Sequence, residues 1–159
     1  MKQYRTILVV LIVVILASCQ DTQLVDTQAD FIVFGHFDGY CAGEACVDFY
    51  KVTADDLLES NIDDYTENGF YPFNDFYALS ADKFNLVKDL GDYMPRQLWL
   101  EFDTHIGQAD VSDVGSLYFE IKKGAEHRYW VFENGDFDMP QVYSEFMNKI
   151  WEKISIINQ

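Results

Sequence analysis

Residues 116–133, SLYFEIKKGAEHRYWVFE, give the clearest structural signal in the chain. In the first run, 116–122, apolar side chains fall at every second position, which is the period of a half-buried β-strand: Leu117, Phe119 and Ile121. Lys123-Gly124-Ala125 separates this run from a second strand-like run, 126–133. The stretch therefore predicts a β-hairpin, whose apolar face must be covered by other elements.

A long amphipathic helix is predicted after the hairpin. Asp138-Met139-Pro140-Gln141 resembles a helix start, with Asp138 as the N-cap and Gln141 placed to return the hydrogen bond. The apolar residues beyond it recur at the spacing of one helical face: Tyr143, Phe146, Met147, Ile150, Ile154 and Ile157. We expect this face to lie across the sheet.

A shorter helix is predicted in the middle of the chain. Ser80 is a good N-cap, and Asp82 in the first turn suits the helix dipole. One apolar stripe follows: Phe84, Val87 and Leu90. After Pro95, residues 96–102 are expected to form another short helix, and residues 103–115 a long loop rich in Asp and Gly.

The segment before the central helix predicts further strands. Residues 31–38 and 46–53 have strand chemistry and flank a turn that contains glycine. Leu57-Leu58 begins a third candidate strand, and residues 71–79 are expected to be extended. This order predicts one α+β domain over residues 30–159, with an antiparallel sheet of four to five strands and a central and a C-terminal helix packed on one face.

The N-terminus has the features of a bacterial export signal. Lys2 and Arg5 precede an apolar run of ten residues, 7–16, and a membrane span needs about 20. The run ends in Leu16-Ala17-Ser18-Cys19, which resembles the lipobox of bacterial lipoproteins. The resemblance implies that residues 1–18 are cleaved and that Cys19 becomes a lipidated N-terminus, carrying diacylglyceryl and palmitate-type chains.

The same resemblance implies a location in the cell envelope. The lipid would attach the chain to a membrane, expected to be the outer membrane, with the domain facing away from the cytoplasm. Residues 19–29 are polar and lack periodicity, so we expect a flexible tether there. The domain itself resembles small envelope lipoproteins of uncharacterised function in the order of three features: Cys41 to Cys46 after a first strand, the 115–132 hairpin, and Met139-Pro140 opening a final helix. This resemblance spans most of residues 31–157 and implies no activity.

Charge excludes some partners. The chain carries a formal charge of −16, and removal of residues 1–18 takes away Lys2 and Arg5 but no acid, which leaves 9 basic and 27 acidic side chains and a charge of −18. Such a balance, with no Lys/Arg cluster, argues against binding to nucleic acid and to anionic lipid headgroups. An aromatic content of 16% provides ample apolar mass for one core, so disorder throughout is excluded.

Cys41 and Cys46 are the two cysteines that remain once Cys19 is assigned to lipid. An even pair in an exported chain favours a disulfide, which would add about 2 kcal/mol for so short a loop. Free thiols and a metal pair are the alternatives, although the spacing matches neither a C-x-x-C redox pair nor a standard zinc site.

One segment partly matches a calcium-binding EF-hand loop. The oxygen ligands would come from alternate positions around Gly69: Asp64, Thr66, Asn68 and Asp75. Thr at the third position, Asp at the last and Pro72 within the loop depart from the pattern. A solvated turn is the favoured interpretation, and Ca²⁺ is the one cofactor considered.

The 103–113 segment is a second acidic cluster. Asp103, Asp110 and Asp113 offer oxygen ligands, and carboxylates near His105 would favour its charged form, which suits a general base of a hydrolase. No nucleophile is identifiable beside it, so an exposed or loop-bracing histidine is favoured. His36 is expected to be half-buried and hydrogen-bonded on a strand face.

These patterns favour a membrane-anchored, non-enzymatic protein with a binding or structural role. Aromatic residues 70–77 offer rings for a protein or glycan partner, although packing within the domain is favoured. The alternatives are a Ca²⁺-dependent binding module and the hydrolase that uses His105.

Overall fold

Strands dominate the computed structural model, which describes residues 29–38, 46–62, 69–72, 75–107, 115–133 and 139–159. Within these ranges the elements are β1 (Phe31–Phe37), β2 (Val47–Val52), β3 (Leu57–Ser60), β4 (Phe76–Ala78), α1 (Ala81–Val87), β5 (His105–Ile106), β6 (Ser116–Lys123), β7 (Glu126–Glu133) and α2 (Gln141–Ile157). Two 3₁₀ helices, Leu90–Tyr93 and Arg96–Leu100, join α1 to β5.

The seven strands form one sheet in the order β4-β3-β2-β1-β6-β7-β5. Neighbouring strands are antiparallel except β5, which runs parallel to β7. The predicted α+β class is confirmed, whereas the predicted antiparallel sheet of four to five strands was wrong. The two edge strands, β4 and β5, have three and two residues, which is too short to show a period of two. β5 also lies within residues 103–115, which were predicted to form a loop.

One face of the sheet packs against both helices. Alternate residues of β1 and β6, such as Phe34 and Phe119, are fully buried there. Phe146 of α2 meets Phe119 edge-on, with ring centroids 4.9 Å apart. The predicted apolar face of α2 is confirmed: Tyr143, Phe146, Ile150, Ile154 and Ile157 are buried, and Met147 is half-buried. Each such side chain contributes about 1.5–3 kcal/mol on burial.

The second face of the sheet carries its own aromatic core. Phe49 of β2 and Tyr118 of β6 are buried there although no described helix covers them. The cover comes instead from residues 69–72, where Tyr71 stacks on Phe49 with ring centroids 4.1 Å apart. Both faces of the central strands are therefore buried, as in a sheet with two packed layers.

The predicted helix starts had different outcomes. Ser80 caps α1, since its hydroxyl accepts a hydrogen bond from the Lys83 amide at 3.3 Å. The cap predicted for α2 was wrong, because Pro140 is the N-cap and makes no side-chain hydrogen bond. Gln141 instead donates to Glu145 one turn on, at 2.7 Å, and Asp138 lies outside the described residues. Proline suits a helix start because it has no amide hydrogen to satisfy.

An ion pair joins α2 to the end of α1. Lys153 is buried, and its Nζ donates to Asp89 Oδ1 at 2.6 Å and to the Leu86 carbonyl at 2.7 Å. Burial alone would raise the pKa of Asp89, but the hydrogen bond and charge of Lys153 outweigh it, so that the pKa lies below its usual value.

We expect Asp89→Asn to destabilise the protein at neutral pH but not in acid. A lowered folded-state pKa means that the pair stabilises above the unfolded pKa of about 3.9, and that this stabilisation is lost as the pH falls through the folded value. The expected loss at pH 7 is about 1 kcal/mol, because Asp89 is 41% exposed and solvent screens the pair. Urea unfolding at neutral and acid pH measures it, with Asp55→Asn, at an exposed position between β2 and β3, as a control. A loss that does not depend on pH would contradict the assignment.

Candidate functional site

A fully buried carboxylate, Glu120, lies within the second aromatic core. Its Oε2 accepts hydrogen bonds from the Tyr71 amide at 3.0 Å and from the Tyr118 hydroxyl. Its Oε1 lies 2.7 Å from His127 Nε2, which donates to it. We call these four residues, Glu120, Tyr71, Tyr118 and His127, the Glu120 network. Three donors around one carboxylate offset the large cost of burying its charge.

Two neighbouring strands and one covering segment bring the network together. Tyr118 and Glu120 are two residues apart on β6 and so share a face, and His127 enters from β7. The Tyr118 hydroxyl also accepts from the Tyr71 amide at 3.0 Å and lies 3.2 Å from the Gly69 carbonyl oxygen. The network therefore holds residues 69–72 against the sheet.

The network reaches solvent at His127, whose side chain is 28% exposed. Phe70 stacks on this ring with a centroid distance of 3.8 Å. Glu120 itself is fully buried, so that the solvent-facing groups here are the rings of His127 and Phe70. The contacts that the structure shows for this network include those that hold the covering segment, residues 69–72, against the sheet.

Lys51 is a basic residue whose pKa is affected by the charge of Glu120. It lies on β2 opposite Val33, which is itself opposite Glu120, and its Nζ is 4.5 Å from the centre of the Phe31 ring. Burial lowers the pKa of the Lys51 ammonium, and the charge of Glu120 partly counters this effect. The second face therefore contains charges of both signs among its aromatic rings.

The predicted calcium ligands are only partly within the described residues. Asp64, Thr66 and Asn68 lie outside them. Asp75 is exposed and has a positive φ of 94°, and its carboxylate accepts from the Asn61 side-chain amide at 3.0 Å. Its carbonyl also accepts from the Asn61 backbone amide at 2.9 Å, so Asp75 braces the connection between β3 and β4. Calcium binding here stays a prediction.

The second acidic cluster, in residues 103–113, is also only partly within the described residues. His105 is half-buried in β5 opposite Val131, and Asp103 is exposed just before it. Asp110 and Asp113 lie outside the described residues, so the hydrolase stays a prediction. Within the described ranges, no group of three His, Cys, Asp or Glu side chains is arranged to hold a metal ion.

Cys46 is buried at 4% exposure in the second core. Its carbonyl oxygen accepts from the Asp38 amide at 3.0 Å, which brings together the two ends of the predicted turn. Cys41 lies outside the described residues, as does Cys19, so the bridge between Cys41 and Cys46 stays a prediction.

His36, near the C-terminal end of β1, is half-buried as predicted. Its side chain is 13% exposed and lies over Trp151 of α2, with ring centroids 5.1 Å apart. Its Nδ1 is 4.0 Å from Asp48 and makes no hydrogen bond to any described residue, so the predicted hydrogen bond is not found at that atom.

A series of hydrogen bonds beside His36 holds the C-terminal end of α2 in place. Asn158 donates to Asp48 at 2.9 Å and accepts from the Tyr50 hydroxyl at 2.7 Å. Burial, with the nearby charge of Asp48, raises the pKa of Tyr50 well above its usual value. These contacts join residues more than a hundred positions apart, so sequence spacing gives no signal for them.

In the aromatic segment, residues 70–77, some rings are packed in the core and others are exposed. Tyr71 is 1% exposed and belongs to the core, as was favoured, whereas Phe70 and Tyr77 are 47% and 45% exposed. Phe73 lies outside the described residues. The rings of Phe70 and Tyr77 are thus the part of this segment that a partner can reach.

The chain is therefore an α+β domain whose mixed sheet is packed on both faces. A buried carboxylate network holds the segment that covers one of these faces. No protein-family model matches the chain, and no curated protein matches it either. Among the helices in the described ranges, none is long and apolar enough to cross a membrane.

Proposed function

We propose that the protein is a lipid-anchored domain of the bacterial cell envelope with a non-catalytic binding or structural role. The observation that carries this proposal is Leu16-Ala17-Ser18-Cys19 at the end of the apolar run 7–16. A cysteine directly after small residues at that position provides the thiol for lipid attachment. Two or more acyl chains give stable membrane binding, at about 0.8 kcal/mol per buried methylene.

The described domain supports a non-catalytic role. Its one fully buried acid, Glu120, is used to hold residues 69–72 in place, and Lys153 is used to join the helices. Fully hydrogen-bonded networks of this kind make a core rigid, which suits a fixed binding surface. We propose a protein or glycan as the partner, since Phe70 presents an exposed ring that is held in place by His127.

The anchor is tested by fatty-acid labelling of the full chain in a bacterial host. The parent protein and a Ser18→Ala variant, which keeps a small residue before the cysteine, are expected to incorporate labelled palmitate and lose the leader. Cys19→Ser is expected to incorporate none and to keep the leader, because cleavage follows lipidation. Label that persists in Cys19→Ser would contradict the proposal.

A further inference from the structure

Two large apolar side chains project from the chain just before β5. Phe102 is 99% exposed and Leu100 is 76% exposed. Single exposed apolar residues are common on soluble proteins and need no explanation. Here two of them lie two positions apart, and the backbone between them is fixed by the rest of the domain.

Arg128 of β7 fixes this backbone. One guanidinium nitrogen donates to the Trp99 carbonyl and the other to the Glu101 carbonyl, on either side of Leu100. The Glu101 carboxylate also accepts from the hydroxyl of Tyr143 on α2. Because both neighbours of Leu100 are held, the domain itself sets the outward direction of this segment.

The segment lies at the end of the sheet where the tether joins the domain. Arg128 is opposite Ile121, and Ile121 is opposite Ile32 near the start of β1. Just before β1, the Asp30 amide donates to the Lys122 carbonyl at 2.7 Å, beside the turn between β6 and β7. β5 is parallel to β7, so the residues before His105 also extend toward that turn.

The tether limits how far this end can be from a lipidated Cys19. Ten residue-to-residue steps lead from Cys19 to Ala29, and they can span at most about 35 Å. Tethering converts a weak surface contact into an intramolecular one with a high effective concentration. Even a shallow insertion of one leucine and one phenylalanine into the interfacial region is then favourable.

We propose that Leu100 and Phe102 form a membrane-contacting ridge that dips into the phospholipid surface in which the Cys19 lipid is anchored. This inference rests on the proposed function, since the lipid at Cys19 is what brings this end of the sheet to the bilayer. The ridge would fix the orientation of the domain, with the end that carries His36 and Cys46 pointing away from the membrane.

Photocrosslinking in the full chain tests the ridge. Benzoylphenylalanine replaces Phe102 in one variant and Tyr77 in a control. Tyr77 lies on β4, the opposite edge strand, six strand spacings or about 29 Å away across the sheet. After irradiation of intact membranes, mass spectrometry is expected to find phospholipid adducts at position 102 at several times the yield at position 77.

The outcomes separate the ridge from the anchor. Equal lipid yields at the two positions, in protein that carries lipid at Cys19, would overturn the ridge and leave the proposed function standing. Adducts to another protein at position 102 would overturn the ridge in favour of a protein interface. Protein that lacks lipid at Cys19 would overturn the proposed function itself.

Discussion

Gly35→Ala is expected to prevent stable folding or to lower the free energy of unfolding by at least about 4 kcal/mol. Gly35 lies in β1, in the middle of the sheet, between Phe49 on β2 and Tyr118 on β6. A Cβ at this position would be 2.1 Å from the Asp48 carbonyl oxygen and 2.9 Å from the Phe49 Cα. Both are backbone atoms of a paired strand, so relief requires the strands to separate.

Gly124→Ala is the matched control for this prediction. Gly124 has a φ of 57° in the turn between β6 and β7, and nothing lies within 4 Å of its added Cβ. Its replacement should cost only about 1 kcal/mol, from the left-handed backbone conformation. Circular dichroism and urea unfolding compare the two. A Gly35→Ala protein as stable as Gly124→Ala would show that β1 and β2 do not pack this closely.

Glu120→Ala is expected to destabilise the protein by about 2–4 kcal/mol. The change removes the acceptor for Tyr71, Tyr118 and His127 and leaves a cavity in the second core. Glu120→Gln keeps an acceptor oxygen and nearly the same volume, so it should cost less than half as much. Urea unfolding measures both.

A second measurement links Glu120 to the segment that it holds. Hydrogen exchange of the Tyr71 amide should be faster in Glu120→Ala, since this amide donates to Glu120. Glu126→Ala, on the exposed start of β7, is the control and should leave both stability and exchange unchanged. Unchanged exchange of Tyr71 in Glu120→Ala would show that the network does not hold residues 69–72.

Periodicity predicted the long elements well. The hairpin of β6 and β7 and the apolar face of α2 were found because each shows several repeats of its own period. β1 and β2 were found for the same reason. β5 was missed because two residues show no period. Arg128 of β7 also donates to the Trp99 and Glu101 carbonyls of the segment before β5, and no local pattern indicates these contacts.

The candidate site was beyond sequence reasoning for a physical reason. Alternation placed Tyr118 and Glu120 on the face opposite Leu117 and Phe119, which in a hairpin usually faces water. That face is buried because Tyr71, nearly fifty residues earlier, packs over it. A glutamate flanked by apolar residues and followed by a histidine on the next strand was the only local signal.

The proposed function depends on the lipid at Cys19. The intact mass of the N-terminal peptide tests for this lipid most directly. Purified from membranes and digested, the mature protein should yield a first peptide that begins at Cys19 and carries a diacylglyceryl group on its sulfur. A peptide that begins at Cys19 with an unmodified thiol, or one that retains the leader in the purified protein, would contradict it.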